Sequence, residues 1–466
     1  MTELKREEIH YLTITQLKEL YKIGEINPLD LTNYMFDRIN LLDDNLQSYA
    51  TLMKDSALNT AKSLTNLPKD LFGSLHGIPI AIKDLCYTKG VRTMGGTAVL
   101  ENFIPVYDST VVTRLQNAGA IILGKLNLTE GAMGGYNPTR QAPRNPWNND
   151  VWAGSSSSGS GVATAAGLCF ASLGSDTGGS IRYPSASCGI VGLKPTYGRV
   201  SRYGVLDLAE SLDHVGPMTR SVKDAWDIFS VIQGYDINDP TTQKANNEID
   251  PSEMDINTIR IGYDDSYASE GVNTEIVKAI RNVIKVFQTS KLFIKDVLMP
   301  DVTDYLPYWT TLCTSEALYA HSTNYPSRKN EYGKWFSEWL DMGTSVTKEQ
   351  YIEACNKREA CNSLISNSLK DVDVLIAPCV IDLPHFVDDS ILYGPMNYSR
   401  NSLRQKFTVP FNYNRYPTLT IPCGMSESGL PIGLQIIGHP MKEALICALG
   451  MKFEALTNWG NLHPNI

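Results

Sequence analysis

The 466-residue sequence has no apolar run as long as about 18 residues, so no helix is expected to span a membrane. Its opening, MTELKREEIHYLT, mixes charges of both signs and lacks an apolar core. Neither a signal nor a transit peptide is read there, and the cytoplasm is the expected location. A basic excess is missing too, since the formal net charge is -9. That argues against nucleic acid as a partner bound through a positive surface. The nine cysteines are irregularly spaced and form no CxxC pair. Buried reduced thiols are expected instead of a zinc or dithiol site, as in the apolar run GLCFASL. The seven histidines are scattered with no HExxH pair, so no metal and no cofactor is expected. No internal repeat and no long linker occurs.

What is present is ordinary for a globular enzyme, with 42% hydrophobic and 20% charged residues. Length alone suggests about three domains at roughly 150 residues each. The lack of linkers favours one large domain over residues 1–466. Residues 1–70 read as an N-terminal helical region. Thr13 can cap TITQLKELYKI, and Asn27 can cap a second helix with Pro28 at its first position. Leu31, Met35, Ile39 and Leu42 fall on one face of that second helix. From Gly77 onward, short apolar runs predict buried strands: GIPIAIKD, AIILGKLN and GLCFASLGSD, then TIRIGY, DVLIAPC, PTLTIPCG and PIGLQIIG. VNTEIVKAIRNVIKVF predicts a helix with Ile276, Ile280, Val283, Ile284 and Phe287 on one face. The polar stretch DINDPTTQKANNEIDPSEM reads as a surface loop. Strands alternating with helices predict an α/β architecture.

Residues 153–161, AGSSSSGSG, pose a question. Composition alone makes them a flexible tether. A tether should run on into polar sequence. Here VATAAG follows, a small-residue helix candidate, then a buried strand, then DTGGS at 176–180. Two glycines before Ser180 allow a tight turn whose backbone N–H groups converge on one point. Such a turn can stabilise a developing oxyanion. Lys83, beside Asp84 at the end of a strand, reads on its own as half of a solvent-facing ion pair.

Together these segments resemble the amidase signature family, serine hydrolases built on a Ser-cisSer-Lys triad. The match runs through GIPIAIKD, GKLNLTEGAMG, NPWN, the serine block, GSDTGGSIRYPSASCGIVGLKPTYGRVSRYG, SLDHVGPMTRSV and GLPIGLQIIG. It is dense over residues 74–223 and returns near 407–438. It is thin over 257–405, a variable region expected to form the substrate pocket. The resemblance implies a central mixed sheet covered by helices on both faces. It implies Ser180 as nucleophile, Ser156 as the proton-relaying serine with a cis peptide bond, and Lys83 as general base. The N–H groups of Thr177, Gly178, Gly179 and Ser180 are implied as the oxyanion hole. Asp176 and Arg182 are implied to hold the nucleophile loop, Ser155 to assist substrate and relay, and Met133 and Gly134 to line the acyl pocket. The commonest family block, Gly-Gly-Ser-Ser-Gly-Gly-Ser, is departed from at Ser155 and Ser158. Ser157 and Ser158 are read as satisfying the loop's own backbone groups.

The chemistry asks for these residue types. A serine hydroxyl must lose its proton as it attacks. Lysine can accept that proton only when neutral, and at its free value near 10.4 only about 1 in 2,500 is neutral at pH 7, a cost of roughly 4.6 kcal/mol. Burial lowers a lysine's pKa, and a strand end such as IAIK can supply burial. A hydroxyl between lysine and nucleophile lets the proton travel, and can return one to the leaving amine. The expected reaction is hydrolysis of a small-molecule amide through an acyl-enzyme on Ser180.

Other readings stay open. The A subunit of glutamyl-tRNA(Gln) amidotransferase belongs to the same family. It grips the charged ends of glutamine with an arginine and an aspartate, where Trp339 and Gln405 stand here. This favours a stand-alone amidase. An acyltransferase would resolve the acyl-enzyme with an amine. A catalytically dead binding protein is disfavoured by the intact Lys83, Ser156 and Ser180. A Ser-His-Asp hydrolase would need His214 as base, and the resemblance makes that residue structural. Tyr305, Tyr308, Trp309 and Trp335 read as core packing, with an aromatic-lined pocket as the alternative. A homodimer is compatible with the sequence, which does not set oligomeric state.

Overall fold

The capping signals of the N-terminal region work as read. In the computed structural model, which describes residues 8–244, 249–397, 402–459 and 462–466, Thr13 and Gln16 form a capping box at the start of the helix Ile14–Ile23. The Asn27 side chain accepts from the Asp30 N–H at 2.9 Å and opens the helix Pro28–Leu46. The apolar faces of both helices are buried against the rest of the chain.

Eleven strands follow: β1 Tyr49–Leu52, β2 Pro79–Lys83, β3 Ile121–Leu126, β4 Ala171–Asp176, β5 Val191–Lys194, β6 His214–Thr219, β7 Arg260–Tyr263, β8 Phe293–Asp296, β9 Val374–Pro378, β10 Thr418–Met425 and β11 Pro431–Gly438. They form one mixed sheet in the order β1-β3-β2-β4-β6-β5-β10-β11-β9-β7-β8. β3, β2 and β4 are mutually parallel, as are β9, β7 and β8. The strands between are antiparallel. All seven apolar runs singled out in the sequence are strands here. β1, β5, β6 and β8 carry no comparable apolar signature and do not stand out in the sequence.

Both faces of the sheet are covered. Along β9, Val374 and Ile376 join one apolar cluster while Leu375 and Ala377 join the other, as the two-residue period of a strand requires. The helix Thr274–Thr289 packs on the first face through Ile276, Ile280, Val283, Ile284 and Phe287. The helices Leu306–Ala320, Lys334–Thr344 and Lys348–Leu369 pack on the second through Leu312, Phe336 and Ile365. Among the described residues no helix is long and apolar enough to cross a membrane. The stretch read as a surface loop after Gly234 is partly tucked in. Asp236 is buried and accepts from Ser201 Oγ at 2.6 Å. Residues 245–248 of that stretch lie outside the described residues.

Candidate active site

Because β2 and β4 are parallel neighbours, their C-terminal ends meet at one edge of the sheet. β2 ends on Lys83, and β4 ends on Asp176 at the start of the DTGGS turn. The serine block crosses this edge and becomes a helix at Ser158–Ala165. Lys83 Nζ reaches Ser156 Oγ at 2.7 Å, Ser157 Oγ at 2.8 Å and Ser175 Oγ at 2.9 Å. The side chain is buried, and among the described residues no carboxylate lies within 4.0 Å of it. Burial pushes Lys83 down from 10.5 to about 7, against the opposing pull of Cys86, Asp176 and Asp213. A neutral amine keeps two N–H donors and one lone pair, so three hydroxyls suit it as well as they suit an ammonium.

The expectation of a solvent-facing Lys83–Asp84 pair is therefore wrong. Asp84 pairs instead with the buried Lys125, at 3.0 Å. The roles read for Ser157 and Ser158 also need correction. Ser157 Oγ faces Lys83 and accepts from the Ser175 N–H at 3.2 Å, and Ser158 Oγ accepts from Tyr136 Oη at 2.9 Å. Composition cannot distinguish four adjacent serines; the turn into the helix does. Ser175 was missed because it sits inside strand β4, one residue before its end at Asp176.

The DTGGS turn is held from below. Arg182 Nε donates to Asp176 Oδ2 at 3.0 Å, and its Nη2 to Oδ1 at 2.9 Å. Asn412 Nδ2 adds a third bond to Asp176 Oδ1 at 2.9 Å. Burial alone would raise the Asp176 carboxyl, but the Arg182 guanidinium overrides it and holds the group below the carboxylate range. Gly179 donates its N–H to Asp176 Oδ1 at 2.9 Å. Its amide is thus engaged inward, unlike the resemblance-based expectation that it faces substrate. Among the described residues no acceptor takes the N–H of Thr177, Gly178 or Ser180. The Ser157 N–H donates to the Ser180 carbonyl at 3.3 Å, tying the serine block to the turn, and the Ser155–Ser156 peptide bond is cis.

Above the turn lies a cavity of about 720 Å³. Met133, Gly134, Ser155, Thr177, Gly178 and Ser180 line it, while Lys83, Ser156, Asp176, Gly179 and Arg182 are buried outside its lining. Trp309, Trp335 and Trp339 form one wall, with the Trp339 ring centroid 5.8 Å from that of Trp309 and 5.6 Å from that of Trp335. Two glycines let that wall approach. A Cβ on Gly178 would sit 2.7 Å from Trp309 Cζ2, and one on Gly134 would sit 2.7 Å from Trp335 Cζ2. Gln405 also lines the cavity. Tyr305 and Tyr308 do not.

His214 cannot serve as a base here. Burial lowers it well below its usual value, its Nδ1 lies 2.7 Å from the Leu212 carbonyl, and it does not line the cavity. Glu130, to which the sequence reading gave no role, joins the two sides of the pocket. Its carboxylate accepts from Asn137 Nδ2 and from the Gly333 N–H, both at 2.8 Å, and Gly333 caps the helix that carries Trp335 and Trp339. The nine cysteines are all free thiols, and Cys355 alone is not buried.

A family model described as Amidase matches residues 30–447. The chain belongs to the amidase family. It is similar to a Mycobacterium tuberculosis protein that bears the provisional name amidase AmiD, with 37% identity covering 99% of this chain and 98% of that one. It is also 37% identical to the A subunit of glutamyl-tRNA(Gln) amidotransferase from Listeria innocua, over 97% of this chain and 99% of the relative. Among solved structures it resembles the peptide amidase PAM in complex with the competitive inhibitor chymostatin. That match has 28% identity, a TM-score of 0.84 and coverage of 97% and 99%. The amidase is thus a hydrolase of carbon–nitrogen amide bonds, on an α/β fold shared with solved members of its family.

Proposed function

We propose that this amidase cleaves its substrate through an acyl-enzyme on Ser180, with Ser156 as proton relay and Lys83 as general base. The observation that carries the reading is Lys83 itself. It is a buried amine with no carboxylate partner, held near 7 by burial and bonded at 2.7 Å to Ser156 Oγ. Burial without an acid is not unique to it, since Lys194 is buried too, but Lys194 Nζ bonds the Pro195 carbonyl at 3.0 Å, whereas Lys83 faces three serine hydroxyls.

In the reading, Ser180 Oγ attacks the amide carbon as its proton passes to Ser156 Oγ, whose own proton passes to Lys83 Nζ. The oxyanion takes the free N–H groups of Thr177, Gly178 and Ser180, with Gly179's amide left to brace the turn. The relay runs in reverse to protonate the leaving amine. Water then attacks the ester by the same route. Ser155, at the cavity floor, is placed to bond the substrate or the relay. The Arg182–Asp176 pair keeps the turn's N–H groups aimed before substrate arrives. No metal or cofactor is needed for any of these steps.

The likeness to the Listeria innocua relative favours a second reading, release of ammonia from glutamine within a complex. Trp339 and Gln405 weigh against it, since they stand where that branch is expected to carry an arginine and an aspartate; among the described residues, the charged ones that do line the cavity are Arg404 and the exposed Asp382. A screen of aliphatic, aromatic, ureido and glutamine amides, with ammonia release followed directly, separates the two readings. A fluorophosphonate should label Ser180 and nothing else. Turnover that survives Ser180→Ala in a folded protein, or that survives Lys83→Ala and is lost in His214→Ala, would overturn the mechanism.

A further inference from the structure

A second part of the cavity lining is built differently from the three tryptophans. Trp152 and His385 stack with ring centroids 5.5 Å apart and an interplanar angle of 29°, and Trp152 meets Tyr183 at 6.0 Å. The Arg404 guanidinium lies over the Trp152 ring, 5.6 Å from its centroid. All four residues line the cavity that holds Ser180. Tyr183, one turn beyond Ser180, donates its hydroxyl to the Arg404 carbonyl at 3.3 Å, so the arginine is tied to the reacting edge of the sheet.

Arg404 has no acid of its own. Among the described residues no carboxylate lies within 4.0 Å of its guanidinium, whereas Arg182, beneath the turn, is paired with Asp176. An arginine is charged at any physiological pH and presents a planar fork of donors that fits a carboxylate. Stacking on Trp152 pre-orients that fork and spends little of its freedom when a partner arrives. Asp382 shares the cavity, but it is exposed and forms no ion pair with Arg404. A solvated carboxylate at a rim is screened and weakly felt. The half-buried, stacked cation therefore dominates the local field.

The indole wall has the complementary character. It is apolar and flat, and it is brought close by Gly134 and Gly178. We infer that the substrate is an amide bearing a flat aromatic group, which lies against Trp309, Trp335 and Trp339, and a carboxylate, which pairs with Arg404. This deepens the acyl-enzyme reading and rests on it for the position of the scissile bond between the two walls. It also distinguishes the cavity from one built for a free amino acid, because among the described residues that line it the one acid, Asp382, is exposed.

Calorimetric binding to the Ser180→Ala protein tests the inference without turnover. Two matched pairs serve: N-benzoyl-β-alanine against N-benzoylbutylamine, with the carboxylate on the amine side, and terephthalic acid monoamide against 4-ethylbenzamide, with it on the acyl side. In at least one pair the acid should bind roughly ten- to hundredfold tighter than its neutral partner, the range of a charge-assisted hydrogen bond. The pair that does so identifies the side. Adding Arg404→Gln should bring that ratio to about one, Arg404→Lys should restore part of it, and added salt should reduce it. Equal binding of acid and neutral compound in both pairs, no binding of any of the four, or a ratio that survives Arg404→Gln overturns the inference. Fluorophosphonate labelling of the wild-type protein reports separately on Ser180, so failure of the mechanism and failure of the substrate assignment give different results.

Discussion

Two regions meet at the cavity, and they are built on opposite principles. Residues 74–223 bring a polar machine into the sheet's interior: Lys83 among three hydroxyls, and Asp176 under Arg182. Lys83 and Asp176 each have specific partners there; burial lowers the lysine, and the Arg182 guanidinium holds the Asp176 carboxyl down against burial. The wall drawn from the helices Leu306–Ala320 and Lys334–Thr344 does the reverse. It offers indole faces whose contacts are broad and non-directional. A buried polar network tolerates few changes, because each lost partner strands another group. An apolar wall can vary in shape while the chemistry beneath it stays the same.

The sharpest test compares kcat with KM. Lys83→Met removes the proposed base and should lower kcat by about 10³-fold or more. Trp335→Ala should act mainly through KM, because its ring touches the cavity and not the relay. Steady-state kinetics on any amide the wild type cleaves will show this. If Trp335→Ala costs kcat as much as Lys83→Met does, the division between the regions is false.

This division also explains what could be read from the chain. The chemistry-bearing residues fall in one dense stretch, where β2 and β4 are short apolar runs ending in Lys83 and Asp176. Each piece alone reads as a tether, a turn or a surface ion pair, and it is the resemblance of the whole stretch to the amidase signature family that names Lys83, Ser156 and Ser180 as candidates. Ser157 and Ser175 escaped because a hydroxyl's partner depends on which way a turn or a pleat aims it. Gly179's inward amide escaped for the same reason. The indole wall was barely legible. Trp309, Trp335 and Trp339 sit on helices whose apolar pattern serves core packing equally well, and only the tertiary fold turns them toward Ser180. β5, β6 and β8 were missed because Gly192, Gly216, Pro217 and the charged residues of FIKD interrupt any apolar run.

The second prediction concerns stability. Arg182 and Asp176 are both fully buried, so Arg182→Met leaves Asp176 a charge without a counter-ion. Breaking a buried pair from one side costs about 3–5 kcal/mol. Urea denaturation should show a loss of that size. A loss below about 1 kcal/mol, typical of a surface pair, would mean that the turn does not depend on this network.

The third is the pH profile. Lys83 must be neutral to accept a proton, and its value of about 7 lies far below the ordinary 10.5. As pH falls through about 7 the amine protonates and the relay stops. The rate should drop about tenfold per pH unit below that point and level off above it. A profile that keeps rising toward pH 10 would place the base in a solvated lysine, and the buried network would lose its purpose.

The smallest effect is expected at Trp339. Among the described residues its buried indole N–H has no acceptor, a cost of about 1–3 kcal/mol for an unsatisfied polar group. Trp339→Phe removes that donor and keeps an aromatic face toward Trp309 and Trp335. The relieved polar cost offsets part of the lost packing, so stability should move by no more than about 1 kcal/mol. KM for a flat aromatic amide should rise only a few-fold, while kcat and the pH profile stay as they are. Thermal denaturation and steady-state kinetics on one preparation measure both. A large fall in kcat would mean that the wall sets the turn's geometry through the Trp309 Nε1 bond to the Thr177 carbonyl, at 3.0 Å. Recognition and chemistry would then be coupled through that one hydrogen bond instead of standing apart.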